Sequence, residues 1–316
     1  MSLHPQSKAL LDLVYRAEAV PFETMTLGQQ RASAAAMQHA FRPPMPEVGS
    51  AEEGALPRPD SLGGPLRYRL YRPKEAHPDT RLPALIYVHG GGWTVGNIES
   101  YEVVCRELAN GSGCAVLALA YRLAPEHPFP AAVEDVSHAV RWLSTHGASI
   151  GLDGSRLAIG GDSAGGNLST VAALIARDEG ISSLKLQLLV YPSTDQRGMT
   201  PSHTTYGDGY LLNQASIVRF QQCYLPREED KLDWRASPIL APSLEGLPPV
   251  LMITASHDPL IDDCEAYARR LQASGVPVTY SRYEGMLHAF FTLGKFFPDA
   301  NKAVAEAAEA IAKALL

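Results

Sequence analysis

Apolar residues recur along this chain in two rhythms. Leu82–Val88 (LPALIYV) and Ala115–Ala120 (AVLALA) are short runs rich in Val, Ile, Leu and Ala, as in strands buried on both faces, and Leu184–Tyr191 and Val250–Thr254 read as strands too. Arg156–Gly160 and Val276–Tyr283 read as further strands, and Leu66–Arg72 alternates as a half-buried strand does. Ala131–Thr145, Leu168–Ala176 and Cys264–Ala273 instead carry apolar residues at helical spacing, and an alanine-rich helix, Ala303–Leu316, closes the chain. This alternation predicts an α/β fold with a mostly parallel sheet covered by helices on both faces.

Two stretches break the rhythm. Residues 1–45 read as helical and fade into a proline-bearing linker at Arg42–Pro46; the Gly- and Pro-marked stretch Gly49–Pro65 then leads into the first strand. Asp195–Arg235 is long and lacks a strand, although Asn213 has the look of an N-cap for a helix running to Tyr224. An excursion of this size between core strands usually forms a lid or an irregular surface segment.

Composition narrows the class. Of 316 residues 46% are hydrophobic, enough for a sizeable core, and no run approaches the roughly 18 apolar residues of a membrane span. The net charge of −7, with both signs mixed along the chain, argues against nucleic acid or an anionic membrane surface as the main partner. No secretory pattern is read at Met1–Leu13, and Cys105, Cys114, Cys223 and Cys264 lack the spacing of a disulfide framework or zinc site. A soluble cytoplasmic protein with buried free cysteines is expected. No metal-spaced histidines, dinucleotide turn or phosphate loop is present in the sequence, and no cofactor is called for.

The chemistry gathers at Gly161-Asp162-Ser163-Ala164-Gly165, where a strand ends and a helix begins. A serine hydroxyl becomes a useful nucleophile only when exposed, held and set beside a base. A sharp strand-to-helix turn lifts it above the sheet, crowding the positions two residues away on either side, which suits glycine. His89-Gly90-Gly91-Gly92 follows the strand LPALIYV, and its glycines let backbone N–H groups approach a developing oxyanion. Ala164, after the nucleophile, offers another N–H.

In this kind of triad the order is Ser, acid, His, and only His203, His257 and His288 follow Ser163. His203 falls in the insertion, before any strand-end acid. His257 adjoins Asp258 and is expected to point to the opposite face. His288, in the loop after the last strand, is left as the base. Asp258 follows the strand Val250–Thr254 and is the expected acid; Asp262 and Asp263, nearby alternatives, are explained by capping and helix-dipole effects.

These residues lie in stretches that resemble the hormone-sensitive-lipase-like family, the bacterial family IV esterases: HGGGW at 89–93, YRLAPEHPFPAAVED at 121–135, GGDSAGGN at 160–167, DPL at 258–260 and GMLHAF at 285–290. The likeness covers roughly residues 65–315. It implies an α/β-hydrolase fold with a helical cap and a triad of Ser163, Asp258 and His288. It also implies an oxyanion hole from the N–H groups of Gly91, Gly92 and Ala164, with His89 and Gly90 supporting that loop. The implied division is 1–45 as the N-terminal helical part of the cap, 46–194 as the first part of the core, 195–235 as the cap insertion and 236–316 as the second part. The cap would cover an apolar acyl pocket, with Gly209-Tyr210-Leu211-Leu212 as one cap segment.

The implied activity is a carboxylesterase acting on small-molecule esters of short to medium acyl chains, through an acyl-enzyme and without a cofactor. Amide or lactone hydrolysis by the same triad, and non-catalytic ligand binding, are the rival readings. The resemblance also implies a homodimer pairing through Val276–Tyr283. Two positions depart from the family pattern: Ile261-Asp262-Asp263-Cys264 stands where Arg-Asp-Glu-Gly is frequent, and Ala289 replaces a common glycine, which puts pocket size or loop conformation in question.

Overall fold

The computed structural model describes residues 2–16, 20–77, 80–198 and 200–316. Residues 1 and 17–19 of the expected N-terminal helical part, and residue 199 of the expected insertion, lie outside the described residues.

Eight strands form one sheet: β1 (Ser50–Leu56), β2 (Leu66–Arg72), β3 (Leu82–Val88), β4 (Ala115–Leu119), β5 (Leu152–Asp162), β6 (Leu184–Val190), β7 (Val250–His257) and β8 (Val278–Leu287). Their order is β1-β2-β4-β3-β5-β6-β7-β8; β1–β2 and β2–β4 are antiparallel and every later pairing is parallel. All seven residues of β3 are buried, as its unbroken apolar run requires of a central strand.

Two clusters of apolar side chains cover the faces. One joins α4 (Ala131–His146), α5 (Ala164–Asp178) and α8 (Ile261–Ala273) to the sheet; the other joins α1 (Pro5–Arg16), α3 (Glu102–Ser112) and α9 (Pro298–Leu315) to the opposite face. This is the expected layered α/β arrangement.

The departures have local causes. β1 lies inside Gly49–Pro65, expected only as a connection; it is an edge strand whose residues Ser50–Ala55 are not fully buried, so it carries no apolar run. The apolar pattern gives no helix between β3 and β4, but parallel neighbours need a crossover, and α3 supplies it. β7 runs past Thr254 to His257 because Ala255, Ser256 and His257 are buried despite two polar side chains. The closing helix begins earlier than Ala303, at Pro298, where proline is at home in a first turn.

The segment 195–235 contains no strand among its described residues. It holds α6 (Pro201–Thr205) and α7 (Gln214–Tyr224), and Asn213 caps α7 by accepting the Ser216 N–H at 2.7 Å. α2 (Leu27–Phe41) begins with a capping box between Thr26 and Gln29.

Candidate active site

β5 ends at Asp162 and α5 begins at Ala164, leaving Ser163 alone at the turn with φ 55° and ψ −117°. A non-glycine residue in this region is strained, and such strain persists only where the surroundings over-determine it. Here the Ser163 N–H donates to Val190 O at 2.8 Å, and its carbonyl accepts from Asn167 at 3.0 Å. Gly161 and Gly165 flank the turn against the Val88 carbonyl, where a Cβ on either would overlap that oxygen.

Three side chains expected together from the sequence are together. His288 Nε2 is 3.0 Å from Ser163 Oγ, and His288 Nδ1 is 2.6 Å from Asp258 Oδ2. Asp258 directly follows β7, His288 directly follows β8, and the two strands pair in parallel, so both reach the same end of the sheet. Asp258 is 1% exposed, and its other oxygen accepts the Leu260 N–H at 2.9 Å, which fixes the carboxylate plane. The aromatic ring of Tyr191 lies 4.6 Å from the His288 ring and walls it from behind.

The alternatives are engaged elsewhere. His257 Nδ1 is 2.9 Å from Ser256 Oγ, and its ring packs 5.4 Å from that of Tyr206. Asp262 accepts the Ser202 N–H, and Asp263 pairs with His203.

The glycine loop after β3 faces the elbow. Among the described residues, no acceptor takes the N–H of Gly91, Gly92 or Ala164, so these three donors remain available to an incoming oxygen. Gly92 has φ 56°, and Phe220 of α7 sits where its Cβ would stand, so a side chain from the segment 195–235 lies directly on the loop. His89 is buried beneath, its Nδ1 2.7 Å from Gly90 O and its ring stacked 4.4 Å from Tyr121. Burial pushes its pKa down to about 4, so the ring is neutral and supportive. Tyr121 also donates to His89 O at 2.9 Å, while Arg122 binds the fully buried Asp135; the motif 121–135 thus props the loop from below.

One residue whose role the sequence reasoning missed is Asp162, although it sits inside GDSAG. Its Oδ1 accepts from the Gly90 N–H at 3.0 Å and Tyr87 OH at 3.1 Å, and its Oδ2 from Tyr101 OH at 3.1 Å. Burial pushes this carboxyl above the usual carboxylate range, opposed by those hydrogen bonds and by His288. It ties the elbow to the glycine loop. Its partners come from distant segments, so no local spacing points to it.

Ala289 has φ 71°, a left-handed backbone that favours glycine, which accounts for the glycine common at this position. Among the described residues, no group of three or more His, Cys, Asp or Glu could hold a metal ion, and no helix is long and apolar enough to cross a membrane.

A family profile described as the alpha/beta hydrolase fold matches residues 85–292. The ethyl acetate hydrolase of Pseudomonas putida is 36% identical over 321 residues, covering 98% of this chain and 99% of that protein. The carboxylesterase NlhH of Mycobacterium tuberculosis is 40% identical over 237 residues, 74% of each chain. The solved hyperthermophilic esterase from the archaeon Pyrobaculum calidifontis superposes with a TM-score of 0.92 at 37% identity, covering 99% of both chains. The chain therefore belongs to the α/β-hydrolase fold family and, within it, to the hormone-sensitive-lipase-like, family IV esterases.

Proposed function

We propose that this chain is a carboxylic ester hydrolase that works through Ser163, His288 and Asp258. The observation that carries the reading is the hydrogen-bonded line from Ser163 Oγ through His288 to Asp258, set on a strained strand-to-helix turn. Ser163 Oγ attacks the ester carbonyl as His288 Nε2 takes its proton, and Asp258 stabilises the imidazolium without taking a proton itself. The N–H groups of Gly91, Gly92 and Ala164 receive the oxyanion, while His89 and Gly90 hold that loop. His288 returns the proton to the departing alcohol. Water then attacks the acyl-enzyme by the same route and releases the acid. The names of the relatives, ethyl acetate hydrolase, carboxylesterase and arylesterase, support a small ester as substrate.

Residues 1–45 and 195–235 form a cap over a core of 46–194 and 236–316 in this reading. Contact of Phe220 with Gly92, and of Phe22 with Phe220 at 5.7 Å between ring centroids, supports it. The four cysteines are all free and buried, in keeping with a cytoplasmic location. β8 is the outer strand of the sheet, with a partly exposed face from Val278 to Glu284, so a homodimer would pair there. Size-exclusion chromatography with light scattering checks this, and a monomer at assay concentration removes it.

The direct test is hydrolysis of p-nitrophenyl esters from acetyl to palmitoyl by the wild type and by Ser163→Ala. The expected result is a short- to medium-chain optimum and a loss of at least about 10⁴-fold in kcat in the variant. A folded wild type inactive across the series sinks the esterase reading.

A further inference from the structure

Apart from the triad there is a second buried histidine–aspartate pair. His203 on α6 has Nε2 2.9 Å from Asp263 Oδ2 in the first turn of α8, and both side chains are almost wholly removed from solvent. Asp263 Oδ1 also accepts the Thr200 hydroxyl at 3.0 Å. The other ring nitrogen, His203 Nδ1, is 3.3 Å from Oε1 of Gln214, the first residue of α7. Beside it, Ser202 donates its hydroxyl to Pro259 O at 2.6 Å and its N–H to Asp262 Oδ2 at 2.8 Å. Pro259 is the residue next to Asp258. One cluster therefore joins α6, the loop that carries the triad acid, and the helix that lays Phe220 on Gly92.

We propose that the His203–Asp263 pair clamps the insertion onto the acid loop, with His203 as a positioning residue that holds Asp258 in line with His288. The proposal rests on the triad reading above and adds a residue to it. His203 has no contact with Ser163 or His288 among its hydrogen bonds; it acts through Asp263, Ser202 and the Asp258–Pro259 backbone.

Charge fits the geometry. An imidazolium has N–H donors on both nitrogens, one for Asp263 and one for the Gln214 carbonyl oxygen. Burial alone pushes the His203 pKa down. The hydrogen bond and charge of Asp263, then Gln214 and Asp258, outweigh it, and the net direction is up. Burial pushes the Asp263 carboxyl up as well, opposed by its bonds to His203 and Thr200, so the two partners share the charge less unequally than His203 alone suggests. Asp195 and Arg197, ion-paired with each other at 2.6 Å, also act on the pair, and Asp262 is held by the Ser202 backbone N–H beside it. A histidine raised in this way contributes its full stabilisation below about pH 6.5, its unfolded value, and loses it as pH rises through the folded value. The clamp slackens toward alkaline pH.

The experiment is steady-state hydrolysis of a short p-nitrophenyl ester across the pH range by His203→Ala, His203→Gln and Asp263→Asn, each checked for folding by circular dichroism. His203→Gln keeps an N–H donor near the Nε2 position without titrating, and Asp263→Asn keeps the volume without the charge. The expected result is a kcat about tenfold lower in His203→Ala and Asp263→Asn, with KM changed less than about threefold. His203→Gln recovers most of kcat and lacks the alkaline decline of the wild type. A folded His203→Ala with wild-type kcat and pH profile overturns the proposal, as does a His203→Gln no better than His203→Ala. Ser163→Ala and Asp258→Ala, run alongside, separate the two readings. If both are inactive while His203→Ala is normal, only the clamp fails; if either keeps activity, the triad reading and the clamp fall together.

Discussion

The active site is built between two regions held together by different forces. On the sheet side, β3 buries all seven of its residues, and the turn at Ser163 is fixed by main-chain hydrogen bonds and by glycine backbone pressed on the Val88 carbonyl. On the side of the N-terminal helices, the only fully buried residues of α2 are Gln30 and Gln38. That helix docks by polar handles: Gln38 Nε2 donates to Thr292 Oγ1, and Arg31 Nε donates to Thr94 O at 3.0 Å. α1 adds a buried polar contact, Ser7 donating to Gly285 O at 2.6 Å just before His288, but it also seats Leu10 and Leu11 in the core. Close packing against backbone tolerates almost no change. A set of side-chain hydrogen bonds, each worth roughly 1 kcal/mol, can be lost one at a time. The difference teaches that the chemistry is anchored in the rigid half while the N-terminal helices are tuned by individual contacts.

The sharpest way to break this contrast is Gly165→Ala, a single added methyl on the rigid side. Its Cβ would overlap Val88 O and crowd His89 O, both backbone atoms. Val88 is paired with Gly161 in the middle of the sheet, so neither strand has room to retreat. The expected outcome is a loss of more than about 3 kcal/mol of stability, with little soluble active protein. Thermal unfolding and specific activity check it. A variant with wild-type melting temperature would show that the elbow is not the close-packed element described.

How much of this could be read in the sequence depended on whether a feature was local. β3, the N-cap at Asn213, and the strands that precede Asp258 and His288 were legible because apolar runs and turn chemistry act over a few residues, although both of those strands end later than the apolar pattern suggests. β1 was not, since an edge strand with Leu56 as its one fully buried residue leaves no apolar signature. β8 extends beyond Tyr283 to Leu287, where pairing with β7 continues to the His257–Leu287 register after an irregularity. Asp162 showed itself as part of a motif but not as a strut, because Tyr87, Gly90 and Tyr101 meet it only in the fold. His203 and Asp263 stand 60 residues apart, and no spacing rule connects them. Ala289 was visible as an unusual residue, yet its left-handed backbone needed the structure.

The smaller effect belongs to the N-terminal helices and sharpens the contrast instead of breaking it. Arg31 on α2 donates to Thr94 O at 3.0 Å and to Ala124 O at 3.3 Å, and grips Glu126 with two bonds of 2.8 Å. The Thr94 hydroxyl in turn donates to Gly92 O at 2.6 Å, so Arg31 reaches the glycine loop through one intermediary. The Glu126 pair is largely exposed, 35% and 49%, and contributes at most about 1 kcal/mol. Arg31→Ala, which also removes the bonds to Thr94 O and Ala124 O, is expected to lower stability by about 2 kcal/mol, still less than Gly165→Ala. It should still lower kcat/KM several-fold, on the order of 3 to 10, because the glycine loop that would receive the oxyanion loses a distant support. Arg31→Lys should not restore activity, since one ammonium cannot reproduce the forked contacts. Glu126→Gln removes the ion pair and leaves the Thr94 link, so its kcat/KM should stay near wild type. Equal losses in Arg31→Ala and Glu126→Gln would mean that the ion pair, and not the link to the glycine loop, carries the effect.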